Sequence, residues 1–214
     1  MTGDKGQARQ RLLDATMKYV VAHGVGDMSL RQLAAAVGTS HRMLVYHFGS
    51  KQGLLIEVIQ AVEEQQRQAL ASLLADPGAA LPDRMLRFWA VLADPSLWPA
   101  ERLFFEMYGQ ALQGRPHTAA LLDGVVESWL GPITELCESA GMPARTARAR
   151  ARLGVAVTRG LLLDLLATGD RQGADDAMAE FMAMQLQAPE LQAAELQAAE
   201  LLAAEPLVPE STAP

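Results

Sequence analysis

The chain has 214 residues, half of them hydrophobic and a fifth charged, with a formal net charge of −7. A single cysteine, Cys137, excludes an intramolecular disulfide and a cysteine metal cage. No apolar run approaches the roughly 20 residues of a membrane span, and the opening "MTGDKGQARQ" lacks the apolar centre of a signal peptide. The expectation is a cytoplasmic protein without membrane attachment. Leu, Ala, Met, Gln and Glu dominate while aromatics make up 5% of the chain, a bias toward helices.

In chain order, "QARQRLLDATMKYVVAHG" places Leu12, Ala15, Tyr19 and Ala22 on one face of an amphipathic helix, which Gly24 ends. Ser29-x-x-Gln32 has capping-box spacing and opens a short second helix to about Val37, with Leu30, Leu33 and Ala34 inward. Gly38 breaks that helix. Ser40 can cap a third short helix through Phe48, and Ser50 a fourth. The fourth is long and stops at Asp76-Pro77-Gly78. Further helical segments are predicted at 81–93, 97–112, 117–140, 144–168 and 173–187, separated by Gly/Pro/Asp breaks, and no segment shows sustained strand alternation. The predicted fold class is all-α.

The tail differs in kind. "APELQAAELQAAELLAAE" repeats about every five residues, so Leu191, Leu196 and Leu201 advance about 140° per repeat and spiral rather than form a stripe. A frayed helical extension followed by a disordered "PLVPESTAP" is expected over 188–214.

The charge is unevenly placed. Residues 1–55 carry Lys5, Arg9, Arg11, Lys18, Arg31, Arg42 and Lys51 against Asp4, Asp14 and Asp27, a net +4, which leaves −11 for the remainder. A basic head on an acidic body suits a module that binds a polyanion. Within that head, two short helices joined through "AVGTS" match a helix-turn-helix. Small residues Ala34, Ala35 and Gly38 sit where the helices cross, with Leu33 and Leu44 as inward anchors. Thr39, Ser40, His41, Arg42 and Met43 lie at the start of the second of these helices, from which short polar or cationic side chains reach base edges and phosphates.

Ala15, Gly24, Ser29-Leu30-x-x-Leu33-Ala34, Gly38-x-Ser40, Leu44-Val45-Tyr46-His47-Phe48, Ser50-Lys51 and Leu54 together resemble the DNA-binding domain of TetR-family transcriptional repressors, from about Arg9 to Leu55. The resemblance implies a DNA-binding domain at 1–50, a larger helical ligand-binding and dimerisation domain at 51–187, and a homodimer on a palindromic double-stranded operator. It puts Ser40 to Tyr46 on the recognition helix and Tyr46, His47 and Lys51 at or beside the DNA backbone. Arg9, Arg11 and Ser29 join the expected DNA-binding set. Where the family commonly has Tyr, this chain has Val45, which shifts the phosphate-facing load to Tyr46 and Lys51.

In the second half, aromatics and Met concentrate in 85–129, and a cavity lined by them would suit an apolar or aromatic inducer. Phe88, Trp89, Phe105, Tyr108 and Trp129 are the candidates, with Asp164, a charge inside "GLLLDLLA", as a further one. The resemblance implies dimerisation through the helices at 144–168 and 173–187, with Val155, Leu162, Leu166, Met178, Phe181 and Met182 as candidate contacts. No HExxH, phosphate-cradling Gly-rich loop or GxSxG is present, so neither an enzyme nor a cofactor or metal site is expected. The competing reading is a helix-turn-helix DNA-binding protein without a small-molecule ligand, architectural or controlled by a partner.

Overall fold

A computed structural model of the chain describes residues 2–75 and 81–185. The described residues are helical throughout apart from their connections. The helices are α1 (Thr2–His23), α2 (Leu30–Ala36), α3 (His41–Phe48), α4 (Lys51–Leu74), α5 (Leu81–Leu92), α6 (Trp98–Leu112), α7 (Glu127–Ser139) and α8 (Ala144–Thr168). A last helix, α9, covers 171–185. Single 3₁₀ turns occupy Pro95–Leu97 and Ala119–Leu122. The repeating tail expected over 188–214 lies outside the described residues.

Local chemistry sets the starts of the first short helices. Ser29 and Gln32 form a complete capping box on α2, the Ser40 hydroxyl accepts from the Met43 N–H, and the Ser50 hydroxyl accepts from the Gly53 N–H. Gly38 takes φ +71°, a left-handed conformation that lets the chain turn from α2 into α3.

Two positions in this region depart from the pattern read in the sequence. The buried face of α1 is Leu13, Thr16 and Val20, with Leu12 and Tyr19 only flanking it and Ala22 exposed. Buried Thr16 returns its hydroxyl to the Leu12 carbonyl at 2.8 Å. Residues 117–140 do not form one helix. The 3₁₀ turn and Gly124, at φ +71°, interrupt them, so α7 starts at Glu127.

Packing forms two apolar clusters. The first joins α1, α2, α3 and the first half of α4 to Leu103, Phe104 and Met107 of α6 and to Leu121 and Val125. The second joins Leu70 of α4 to α5, Trp129 and Leu130 of α7, α8 and α9. Phe105 packs against both. The helix-turn-helix therefore shares its core with the body, and α4 contributes to both clusters along its length. Trp89 Nε1 donates to Asp175 at 2.6 Å, and Arg171 holds the same carboxylate while its Nη1 donates to the Ala93 carbonyl at 2.8 Å. These bonds fix α9 against the end of α5.

Candidate nucleic-acid interface and interhelical cavity

The exposed face of the helix-turn-helix is built by α3. Leu44 and Phe48 are buried and seat the helix, while His41, Arg42, Met43, Val45 and Tyr46 are left exposed. Tyr46 is the most open of the apolar or aromatic set, at 62%. This is the arrangement a groove-reading helix requires: apolar anchors behind, polar and cationic tips in front. Lys51 sits half-buried in the first turn of α4, where free backbone N–H groups favour an anion.

Several candidate DNA contacts already have structural duties. Arg9 pairs with Glu57 of α4 and lies 5.1 Å from the Phe48 ring centroid, tying α1 to α3 and α4. Arg11 is exposed and donates to the Gln7 carbonyl one turn earlier. Ser29 and Ser40 spend hydroxyl lone pairs on their caps, and Thr39 is half-buried. His47 stands edge-on to Tyr46 at 4.9 Å between centroids, and its Nε2 is buried without a hydrogen-bond partner. That nitrogen is shielded from solvent, while the residue as a whole is half-buried. The ring, expected at the DNA backbone, thus sits half-buried beside the exposed Tyr46.

A cavity of about 230 Å³ lies among α4, α5, α6, α7, α8 and α9. Phe88, Trp89, Phe105 and Trp129 line it, as the sequence suggested, together with Phe104. Tyr108 is not in its lining; it stacks on Phe104 at 5.4 Å on the side of the first cluster. Asp164 is not in the lining either. It is exposed on the outer face of α8, away from the cavity, so its charge needs no buried partner.

The expected dimer contacts lie mostly on the inner faces of α8 and α9 in the single chain. Val155, Leu162, Met178, Phe181 and Met182 line the cavity, and Leu166 is half-buried. Helix α8 carries two apolar stripes, and the bulkier one turns inward. The stripe left outside is Leu153, Ala156, Gly160 and Leu163, at steps of three and four; Leu153 and Leu163 are 49% and 52% exposed. On α9 the exposed large apolar residue is Met184.

The sequence reading missed the acidic groups of the cavity wall, Glu63 and Glu101. Glu63 Oε1 accepts from Trp129 Nε1 at 3.2 Å and from Arg159 Nη2 at 3.4 Å. Burial still pushes its carboxyl above the usual range, and these donors and Arg67 offset it only in part. Glu101, 6% exposed, accepts from Gln66 Nε2 at 2.6 Å, and burial pushes it up to about 7. The signal was present: Glu63 shares a face with Ile59, Val62, Gln66 and Leu70, and Glu101 stands one turn before Phe104 and Phe105. A glutamate pair in "AVEEQQ" and an acid in a helix's first turn, however, usually face water. Among the described residues, no group of three or more His, Cys, Asp or Glu side chains could hold a metal, and no helix is long and apolar enough to cross a membrane.

Residues 12–58 match the family model described as bacterial regulatory proteins, tetR family. The transcriptional repressor NicS of Pseudomonas putida is 31% identical over 86 residues, which are 39% of this chain and 41% of NicS. The transcriptional regulatory protein RaaS of Mycobacterium tuberculosis is 30% identical over 101 residues, 47% of this chain and 40% of that protein. The chain thus spans less than half the length of these curated relatives. Over the whole fold, a Rhodococcus transcriptional regulator superposes with a TM-score of 0.68 at 18% identity, covering 84% of this chain and 96% of that one. A Saccharomonospora viridis transcriptional regulator in complex with choline superposes with a TM-score of 0.62 at 21% identity, covering 85% and 96%.

Proposed function

We propose that the chain, whose residues 12–58 match the model of the tetR family of bacterial regulatory proteins, is a DNA-binding transcriptional regulator of that family. In this reading it is a repressor that leaves a palindromic operator when a small apolar or aromatic molecule occupies the cavity. The observation that carries the reading is the continuity of α3, α4 and the cavity. The exposed helix His41–Phe48 abuts the start of α4, and α4 supplies Ile59, Val62, Glu63, Gln66 and Leu70 to the cavity wall. A ligand that shifts α4 shifts α3. A difference of about 1 to 3 kcal/mol between the two states is enough for a useful switch.

Within the interface, Arg42 and Met43 read base edges, while Tyr46, Lys51 and Arg11 meet phosphates. Arg9 serves mainly to brace α1 against α3 and α4. Two copies pair through the outer faces of α8 and α9, with Leu153, Ala156, Gly160, Leu163 and Met184 at the seam. The two-fold axis then requires two half-sites in successive major grooves. The Saccharomonospora viridis regulator of similar fold is in complex with choline, which supports small-molecule binding by this fold.

The test is binding of the full chain to duplexes selected from a random pool, measured across a salt series. A regulator of this kind selects a palindrome and loses affinity steeply with salt. Absence of salt-sensitive binding to any duplex ends the proposal, and DNA binding that no small molecule reverses restricts it to an architectural or partner-controlled role.

A further inference from the structure

The cavity's acidic groups are unequally matched. Glu63 meets Arg159 and Trp129 at one oxygen, so its charge has a counter-charge in place. Glu101 has Gln66 on Oε1, and among the described residues no hydrogen bond reaches its other oxygen. The charged groups facing Glu101 are Glu63 of α4, which opposes its ionisation, and Arg159 of α8, which favours it. Arg159 is already engaged by Glu63 and by the Val125 carbonyl at 2.6 Å. The cavity's other cation, Arg150, is nine residues earlier on α8, about 13 Å along the helix, and donates to the Gln185 carbonyl. One carboxyl thus faces an apolar, aromatic space without a cation of its own.

The aromatic wall suits a positive charge as well. Phe88 and Trp129 both line the cavity, 6.0 Å apart at a tilt, and aromatic rings attract a cation. The Arg159 guanidinium already rests 5.2 Å from the Phe104 centroid. We propose that the cavity takes a lipophilic organic cation, an ammonium head on an aromatic or alkyl body, with Glu101 as its counter-ion and the aromatic walls around it. The proposal rests on reading this cavity as the ligand site. An anion would meet two carboxyl groups there and two arginines already engaged by protein oxygens, and a neutral apolar ligand would leave the free Glu101 oxygen unanswered. A cation draws Glu101 into its ionised form, so binding expels the carboxyl proton: cation in, proton out.

The experiment uses the full chain and two probes of one shape, benzyltrimethylammonium and its carbon isostere neopentylbenzene, titrated calorimetrically in buffers of different ionisation enthalpy. The quaternary cation does not titrate, so any pH dependence belongs to the protein. We expect it to bind at least tenfold tighter than the isostere, to release a fraction of a proton near pH 7, and to gain about tenfold in affinity from pH 6 to pH 8. E101Q, which keeps the size of the group and its acceptor for Gln66, should abolish the proton release and bring the ratio of the two affinities toward one. Equal affinity for the probes, binding of neither, or cation binding without proton release overturns the proposal. The regulator reading falls only on the separate absence of salt-sensitive DNA binding.

Discussion

Arg159 on α8 and Glu63 on α4 meet with Nη2 3.4 Å from Oε1, and Trp129 of α7 donates to that same oxygen. Three helices converge on one carboxylate. The Arg159 guanidinium also donates to the Val125 carbonyl and lies over Phe104 and Tyr108. Both charged side chains are less than a fifth exposed, so the pair is worth most when it is intact.

Removing one partner should be costly. Arg159→Met leaves a buried carboxylate with only an indole donor, and we expect a loss of about 3–5 kcal/mol in urea denaturation. The double variant E63Q/R159M should regain at least half of that loss. A double variant no more stable than R159M would show that the pair is not the unit that matters.

Glu101 predicts a pH dependence with a definite sign. Its carboxyl lies near 7 when folded, against an ordinary value of 4.5, because burial disfavours the charge. Below about pH 4.5 it is protonated in both states and costs nothing. Between about 4.5 and 7 the unfolded chain releases the proton and the folded one retains it, so stability falls as pH rises; above about 7 the loss levels off. Glu101→Gln should flatten the wild-type profile by about 2–3 kcal/mol between pH 5 and pH 8, read by urea midpoints. Glu63, raised in the same direction, leaves a residual slope.

The joint between α3 and α4 is close enough to test with one methyl group. A Cβ on Gly53 would stand 2.4 Å from the Phe48 carbonyl oxygen. Gly53→Ala should therefore cost about 1–3 kcal/mol and weaken DNA binding by tilting α3. Gly131→Ala, in α7 with nothing within 4 Å of the new methyl, should be neutral or stabilise by up to about 1 kcal/mol. Thermal melts and gel shifts of the pair decide it.

On the proposed DNA face, Arg42 and Lys51 should behave differently. Arg42→Ala should reduce discrimination among duplexes by about 1–3 kcal/mol. Lys51→Ala should weaken every duplex alike and lower the salt slope by about one. Identical effects of both on every duplex would refute this division of labour.

For the dimer, Leu163→Glu puts a charge in the outer stripe of α8, and sedimentation should then show a monomer with its melting transition retained. Val155→Glu puts the charge in the cavity wall and should destabilise the fold itself. If Leu163→Glu stays dimeric, the seam lies elsewhere.

Capping chemistry is local, which is why the starts of α2, α3 and α4 were legible at Ser29, Ser40 and Ser50. Rotation of a helix about its axis is less so. In α1 the stripes Leu12/Tyr19 and Leu13/Val20 differ by one residue, and only tertiary contacts select the second. The same ambiguity holds for α8, where periodicity marks two stripes as apolar and does not say which meets the cavity. The break at Asp123-Gly124 was visible but outweighed by flanking helical periodicity. Glu63 and Glu101 were hidden because a buried acid and a solvated one look identical until the elements opposite them are placed.

The length of α4 turns small movements into large ones. Glu63 stands twelve residues from Lys51, a rigid arm of about 18 Å at 1.5 Å per residue. A tilt of about 5° pivoting at the cavity swings the far end by about 1.6 Å over that arm. In the proposed dimer, with two arms related by a two-fold axis, the gap between recognition helices would change by up to about twice that, roughly the rise of one base pair along a duplex. The two arms of that proposed dimer would work as a pair of calipers hinged at the cavity.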